Sequence, residues 1–433
     1  MRRVEQSVKR MKHRHRFVTL GTACALAVLA SNAVARGIWV SNNSDSGPGS
    51  FREAITAANG DTSVNWITFA RGLGSIGLQS TVTFDGTQAL RIDGHEATLT
   101  AAGSEAFDLF AATGGGWLEI SRLILVGSHA NGIVVSIPAE AGGEVRVDLW
   151  EVILTGNSLF GLLIDDSLGS PAGVLLNAQR CVVTANGTGA IDNDGLRVNE
   201  RGPGNISASF KQCLFEANGA DGVELDEGDS GDVLVQVLHS DFIENGFLDI
   251  EDLEDGIDVD EAGDGDIVAL MVDCRLDGNG DEATDLNEDG TGSLFALFSQ
   301  VTANDNVDKG LTAEETGDGN IQAVCSQIIA IGNKKEGVKL DESDGGDLEV
   351  ELHNAYLENN TDDGMQVEEI GPGDVAVRIV NSTILKSKKY GLNLTQGDEG
   401  TGLLRLQHVS FAENISGPCK VKGAEVIETG LPK

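Results

Sequence analysis

The chain has 433 residues, with 30 Lys and Arg against 68 Asp and Glu and a formal net charge of −38 at pH 7. A surface this acidic repels nucleic acid and anionic membranes, so neither is an expected partner. The six cysteines lack the paired short spacings of zinc or redox motifs, so no metal or thiol chemistry is expected of them.

Residues 1–35 have the pattern of a secretory signal peptide. Seven Lys and Arg precede an apolar run at 18–30, and the segment ends in Ala33-Val34-Ala35. This order predicts cleavage after Ala35 and export to the periplasm, the cell surface or the extracellular space. The apolar run is shorter than the roughly 20 residues that a membrane-crossing helix needs, and no later run is longer. We therefore expect no transmembrane segment.

Residues 36–130 are predicted to form an N-terminal cap and irregular first coils. Ser50 is a good N-cap residue for a short helix that we expect to run through Ala58. Such a helix can close the open end of a β-column, whose strand edges would otherwise be exposed.

Residues 131–416 are predicted to be regular coils, with residues 417–433 as a C-terminal tail or cap. A small residue before an apolar one recurs every 27 residues, except for one step of 34 that holds seven extra residues at 247–253. The recurring positions are Gly195, Gly222, Gly256, Ala283, Gly310, Gly337, Gly364 and Gly391.

Within each unit the apolar residues alternate with period two in three short segments, which predicts three strands per coil. A period in the twenties is typical of solenoids. The predicted fold is therefore all-β, a right-handed parallel β-helix of eight to twelve coils around one apolar column. Alternation places Phe210, Phe242 and Phe298 inside that column.

One polar column recurs at the same place in the repeat, broken only by Ser387. We predict that its side-chain amides stack and hydrogen-bond from coil to coil, and that Asn suits a left-handed corner there. Its members are Asn157, Asn186, Asn218, Asn245, Asn279, Asn306, Asn333, Asn360 and Asn414.

Outward positions of the long middle strand carry a second, apolar column. We expect the 247–253 insertion to fold over it, with a partner or a second copy as the alternative. Cys181 and Cys213 fall inward in successive coils, where buried thiols are favoured over a disulfide. The apolar column consists of Leu234, Leu238, Val268, Leu270, Val272, Phe295, Leu297 and Val324.

Acidic residues also recur in columns. An acidic pair such as Asp226-Glu227 follows the first strand of several coils, and Gly-Asp steps such as Gly265-Asp266 close the next turn. Stacking at ~4.8 Å brings like charges together. Either Ca²⁺ or solvent with salt can relieve their repulsion. The candidate Ca²⁺ ligands are Glu224, Asp226, Asp258, Asp260, Glu261 and Asp266.

Residues 40–60, VSNNSDSGPGSFREAITAANG, resemble the S-L-R-E-A signature that begins many secreted bacterial parallel β-helix proteins, with Phe51 in place of its Leu. Segments 65–69 and 90–94 are similar to the strand and the I-x-G step that continue it. The resemblance implies export and the architecture of the pectate-lyase-like superfamily. That superfamily includes polysaccharide lyases, glycoside hydrolases, adhesins and surface proteins, so the resemblance does not choose an activity.

Only fragments of the polygalacturonase-like catalytic set are present. Asn360-Thr361-Asp362 matches its Asn-Thr-Asp element, but Asn360 belongs to the Asn column, and no His is flanked by Gly on both sides. We therefore expect an exported or cell-surface protein with a binding, adhesive or structural role, toward a polysaccharide or a cell-surface partner. The alternative is a carbohydrate-active enzyme, either a polysaccharide lyase or a glycoside hydrolase, acting on an extended polysaccharide.

Overall fold

The computed structural model describes residues 36–251, 253–397 and 400–429, so the predicted signal peptide at 1–35 lies outside the described residues. The described chain winds into a parallel β-solenoid of about 14 turns. This confirms the predicted fold class. The turns outnumber the predicted eight to twelve. No helix among the described residues is long and apolar enough to cross a membrane.

Sheet B is the smaller of two parallel sheets and takes one strand from each coil after the first. Its 13 strands pair in register, so that Val223, Ile257 and Thr284 are direct neighbours on three successive coils. The strands are Val82–Phe84, Phe110–Ala112, Ile133–Ile137, Leu162–Asp166, Leu196–Glu200, Val223–Glu227, Ile257–Glu261, Thr284–Gly290, Leu311–Gly317, Val338–Asp344, Met365–Glu369, Tyr390–Gln396 and Gly417–Lys422.

Sheet A contains the other two strand positions of each coil. In some coils these two positions belong to one long strand, such as Ile267–Asp277 or Leu294–Asn304, that continues through the bend between them. Because of these long strands, the two positions form a single sheet of 24 strands. The strands are Arg36–Val40, Val64–Phe69, Ser75–Leu78, Leu90–Ala101, Leu118–Val126, Gly143–Trp150, Ile153–Thr155, Ala172–Gln179, Val182–Thr184, Ile206–Lys211, Leu214–Glu216, Val233–Leu238, Asp241–Ile243, Ile267–Asp277, Leu294–Asn304, Ile321–Ser326, Ile329–Ile331, Leu348–His353, Tyr356–Glu358, Val375–Val380, Thr383–Leu385, Gly402–Gln407, Ser410–Ala412 and Ala424–Thr429.

A single α-helix, Phe51–Gly60, packs at the N-terminal end of the column among the described residues. The Ser50 side chain accepts a hydrogen bond from the Glu53 amide, and the Glu53 carboxylate accepts one from the Gly49 amide at 2.6 Å. The first bond satisfies a donor that a helix start leaves unpaired, and the second ties the residue before the N-cap to the first turn. The helix is two residues longer than predicted.

The interior is one continuous apolar column, as the alternation predicted. Phe210, Phe242 and Phe298 are almost completely buried, and Phe215 stacks on Phe242 with ring centroids 4.8 Å apart. Buried aromatic rings contribute large apolar areas, so these positions should dominate the stability of the middle coils. The inward cysteines of the same coils are buried free thiols.

The Asn column is a buried hydrogen-bonded ladder. Asn245 donates from Nδ2 to Oδ1 of Asn279 at 3.1 Å, and the same oxygen accepts the Asn245 backbone amide at 3.2 Å. The predicted backbone of this corner was wrong, because the left-handed residue is the one before each Asn. Ala217 and Glu244, for example, have φ of 57° and 53°.

The outward apolar column of the middle strand is also present, but the predicted cover for it is wrong. Leu234, Phe295 and Leu297 are exposed, and so are Phe247 and Ile250 of the insertion. The insertion leaves the chain after the third strand of its coil, at the turn toward sheet B. It therefore lies at the turn between Asp241–Ile243 of sheet A and Ile257–Glu261 of sheet B, beside Gly219 of the preceding coil.

Candidate cation site on sheet B

The recurrent acidic pairs divide between the two sides of sheet B. In each pair the first residue, such as Asp226 or Asp260, lies on the outer face, whereas the second, such as Glu227 or Glu261, is buried at a corner of the column. Successive residues of a strand point to opposite sides, which explains the division. The prediction that both residues of a pair lie in one solvated or Ca²⁺-binding corner is therefore wrong.

The buried members form a second polar column, here called the glutamate ladder. Each side chain is at most 1% exposed, and most accept a hydrogen bond from a backbone amide of the Gly-containing turn that follows, as Glu288 does from Gly292 at 3.0 Å. Each also has a buried carboxyl oxygen without a hydrogen-bond partner. The ladder consists of Glu200, Glu227, Glu261, Glu288, Glu315, Glu342 and Glu369.

The Gly-Asp steps have a structural role of a different kind. The Asp232 carboxylate accepts the Asp266 amide at 3.0 Å, and the Asp266 carboxylate accepts the Ser293 amide at 2.7 Å. Each side chain thus continues the backbone ladder across an open turn, as Asx residues do. Asp266 is therefore engaged away from the other candidate ligands.

The outer face of sheet B gathers carboxylates from three successive coils. We call Glu224, Asp255, Asp258, Asp260 and Asp285 the acid cluster. Strand register places Glu224, Asp258 and Asp285 side by side in one row. Oxygens of Glu224, Asp258 and Asp260 lie within 4.8 Å of one another, and so do oxygens of Asp255, Asp258 and Asp285. Asp258 belongs to both groups and is the centre of the cluster.

The centre of the acid cluster is short of hydrogen bonds and counterions. One carboxyl oxygen of Asp258 and one of Asp285 are buried without a hydrogen-bond partner. Within the described part of the chain, Asp255, Asp258 and Asp285 form no ion pair. Burial, followed by the charges of neighbouring carboxylates, raises the pKa of Asp258 and Asp255 well above the usual value. The ionised cluster is therefore costly unless a cation neutralises it.

Two basic side chains flank the acid cluster. Arg197 contacts Glu224, with Nη1 2.6 Å from Oε2, and Lys309 contacts Glu282 one coil beyond Asp255. Burial raises the pKa of Glu224 to about 7, although the charge of Arg197 lowers it. These two cations partly neutralise the carboxylates at the edges of the cluster. The carboxylates at its centre have no such partner, so another cation could bind there.

Acidic groups on adjacent coils could hold a metal ion, and the acid cluster contains two such groups that share one residue. All of its donors are carboxylate oxygens, the hard ligands that Ca²⁺ and Mg²⁺ prefer. A carboxyl with a pKa near 7 beside a guanidinium could also transfer a proton at neutral pH. The arrangement thus allows cation binding or acid-base chemistry.

The structure brings together some of the six predicted ligands. Glu224, Asp258 and Asp260 converge, and Asp226 pairs in register with Asp260 while lying 3.8 Å from Arg197. Glu261 and Asp266 do not converge with them, because one is buried in the glutamate ladder and the other caps a turn.

The sequence analysis did not identify Asp255. This residue is buried, and its backbone amide donates a hydrogen bond to the Asp221 carboxylate. It lies immediately before the Gly on which the repeats align. Acidic residues at that position in most coils were a usable signal. They are Asp194, Asp221, Asp255, Glu282, Glu336 and Asp363.

No family model matches the sequence, and no curated protein matches it either. Among solved structures, the A-module of the mannuronan C-5 epimerase AlgE4 from Azotobacter vinelandii is similar, with a TM-score of 0.50 and 12% identity over 90% of this chain and 97% of that chain.

Two further solved structures are more distant. Pectate lyase Pel9A has a TM-score of 0.37 and 16% identity over 90% of this chain and 78% of that chain. The catalytic domain of a GH87 α-1,3-glucanase in complex with nigerose has a TM-score of 0.39 and 12% identity over 89% of this chain and 68% of that chain. At such identities the likeness shows the fold alone, which is a parallel β-helix.

Proposed function

We propose that this chain is an exported β-helix protein with a binding role, that its acid cluster binds Ca²⁺, and that its partner is a polysaccharide. The observation that carries the proposal is the convergence of unpaired, desolvated carboxyl oxygens on Asp258. Such a group is unfavourable by itself, because the buried carboxylates at its centre have no ion-pair partner. A divalent cation would convert it into a stabilising site.

The donor chemistry favours Ca²⁺ over transition metals. The acid cluster offers carboxylates from three coils and no imidazole or thiolate, which zinc and copper prefer. Ca²⁺ accepts six to eight oxygen ligands in flexible geometry. Ligands beyond the carboxylates would come from water or from hydroxyl groups of a bound polysaccharide, which couples the cation to the partner.

The polysaccharide part of the proposal is supported by the shape of the molecule. A stack of about 14 coils presents long, straight rows of outward side chains, a surface suited to an extended chain. Structural neighbours with this architecture are named as a pectate lyase, a mannuronan epimerase and an α-1,3-glucanase. Export follows from the predicted signal peptide at 1–35 and remains part of the proposal.

The test is thermal unfolding of the mature chain in EDTA, in millimolar Ca²⁺ and in NaCl of equal ionic strength. A bound ion stabilises the folded state by about 2.7 kcal/mol at a hundredfold excess over its Kd. We expect a clear rise in Tm with Ca²⁺ and a smaller one with NaCl, because screening requires no geometry.

The Asp258→Asn variant should lose the specific effect of Ca²⁺. Its matched control is Asp289→Asn, which removes the same charge from an exposed position on the next coil. Equal melting temperatures in Ca²⁺ and in matched NaCl, or an equal response of Asp258→Asn and the parent, would contradict the site.

A second candidate function is enzymatic, because Glu224 has a pKa of about 7 and lies against Arg197. A carboxyl of this kind could act as a general acid or base on a polysaccharide. The test is a glycan panel assayed for new reducing ends and for unsaturated products. Turnover that Glu224→Gln abolishes would establish the enzyme, whereas a panel without products would leave the binding role.

A further inference from the structure

All four tryptophans of the chain lie within its first 150 residues. Three occupy outward positions of sheet A strands, and Trp117 immediately precedes the strand Leu118–Val126. Trp39, Trp66, Trp117 and Trp150 are 56%, 47%, 40% and 41% exposed. Large aromatic side chains in water forfeit much of the free energy that their burial provides, and they are enriched at binding sites. An exposed indole ring is therefore a candidate ligand contact, provided that other side chains form a pocket around it.

Two of these rings line a pocket. Trp66 and Trp117 come from different coils, and the smaller Ala89 lies between them, which leaves a cavity of about 260 Å³. Cavities for drug-sized ligands usually begin near 300 Å³, so this one suits a single ring. Its other walls include Arg91 and Glu119.

The Trp117 ring is held in place before any ligand arrives. Its Nε1 donates to Asp148 at 2.8 Å, and the Arg146 guanidinium lies 4.7 Å from the ring centroid while also bonding to Asp148. A cation over an aromatic face is favourable, and the hydrogen bond fixes the rotation of the ring. A preorganised surface spends less entropy on binding.

The polar wall of the pocket is charged but balanced. Arg91 Nη2 lies 2.7 Å from Glu119 Oε2, a bond that uses one of five guanidinium donors and one of two carboxylate oxygens. Donors and an acceptor thus remain beside two aromatic faces. Because Arg146 is likewise balanced by Asp148 and the chain carries a net charge of −38, the pocket offers no net attraction to an anion.

We infer that the pocket between Trp66 and Trp117 binds one neutral pyranose unit of a polysaccharide. The C–H groups on one face of such a sugar carry slight positive charge and pack against the negative face of an indole ring. The hydroxyl groups at the rim of the sugar match the donors and acceptor of the Arg91–Glu119 pair. The inference rests on the proposed function for its ligand class, but the acid cluster plays no part in it.

The test is calorimetric titration of the mature protein with cellohexaose, maltohexaose and, as the anionic probe, hexagalacturonate. We expect one of the neutral hexasaccharides to bind, and Trp66→Ala and Trp117→Ala each to weaken it at least about tenfold. Trp117→Phe should recover part of the affinity, because it restores an aromatic face. Trp39→Ala is the matched control, an exposed ring outside the pocket, and should bind like the parent.

The outcomes separate this inference from the proposed function. If the parent binds a glycan and the two pocket variants bind it equally well, the pocket inference is wrong and the binding role stands. If only hexagalacturonate binds, the neutral ligand class is wrong. If none of the probes binds while Ca²⁺ still stabilises the parent through Asp258, the pocket inference and the polysaccharide partner fall together, and the cation site remains. Because the rings are exposed, the variants should melt like the parent, which confirms that they fold.

Discussion

The glutamate ladder makes the stability of this protein depend on pH, and a single substitution should reveal it. Glu288 pairs in register with Glu261 and Glu315, so its carboxyl lies between two others inside the corner. Burial, and then hydrogen bonding and repulsion from these neighbours, raises the pKa of Glu288 to about 9. At pH 7 the folded protein therefore keeps a proton that the unfolded chain releases.

The direction of the pH dependence follows from this difference in bound protons between the folded and the unfolded state. Below pH 4.5, the ordinary pKa, Glu288 is protonated in both states and does not affect stability. As the pH rises toward 9, the unfolded state loses its proton first, so the free energy of unfolding falls. Each pKa unit corresponds to about 1.4 kcal/mol. Between pH 4.5 and pH 7, Glu288 alone could therefore lower the free energy of unfolding by up to about 3 kcal/mol.

We therefore expect Glu288→Gln to raise the free energy of unfolding at pH 7 by about 1–3 kcal/mol and to leave it unchanged at pH 4. The lower figure allows for proton sharing between coupled neighbours. The ladder already contains such an amide, because Gln396 occupies its last place. Gln396 Nε2 donates to the Gly373 carbonyl at 2.9 Å, and its Oε1 accepts the Val375 amide at 2.8 Å.

The measurement is denaturant unfolding of the parent and Glu288→Gln at each pH from 4 to 9. Glu140→Gln is the control, because it makes the same substitution at an exposed turn position outside the ladder. Parallel profiles for the parent and Glu288→Gln, with no gain at neutral pH, would refute the reasoning. They would mean that the buried carboxylates are ionised without penalty.

Three further predictions concern the core, the Asn ladder and the acid cluster. Phe210→Ala and Phe298→Ala should each lower the free energy of unfolding by about 3–5 kcal/mol, and unchanged melting would mean that the rings are not in the column. Asn245→Ala should cost about 3 kcal/mol in the same measurement, because it leaves the Asn218 side chain and backbone amide without their acceptor. In EDTA, Asp258→Asn should melt above the parent, because it removes a buried carboxyl that is costly either to ionise or to keep protonated at neutral pH, and a lower Tm would show that the cluster is stable without a cation.

The period of 27 and the alternation within it were enough to predict the parallel β-helix, its three strands per coil and its Phe core. These features depend only on which residues recur and on the period-two geometry of a strand. The Asn ladder was predictable for the same reason, since equal residues at equal places must stack. Ser50 was predictable as a cap because capping is a local property of the chain.

The tertiary structure alone decided which charges meet. Strand alternation separates Asp226 from Glu227, but only the structure shows that the strand continues through Glu227, so that this second acid is buried at the corner. The acid cluster depends on the register across three coils, including the one lengthened by the insertion, which brings Asp255 against Asp258 and Asp285. Spacing along the chain does not determine which acids of different coils meet or where each strand ends, because both depend on how the backbone turns between strands.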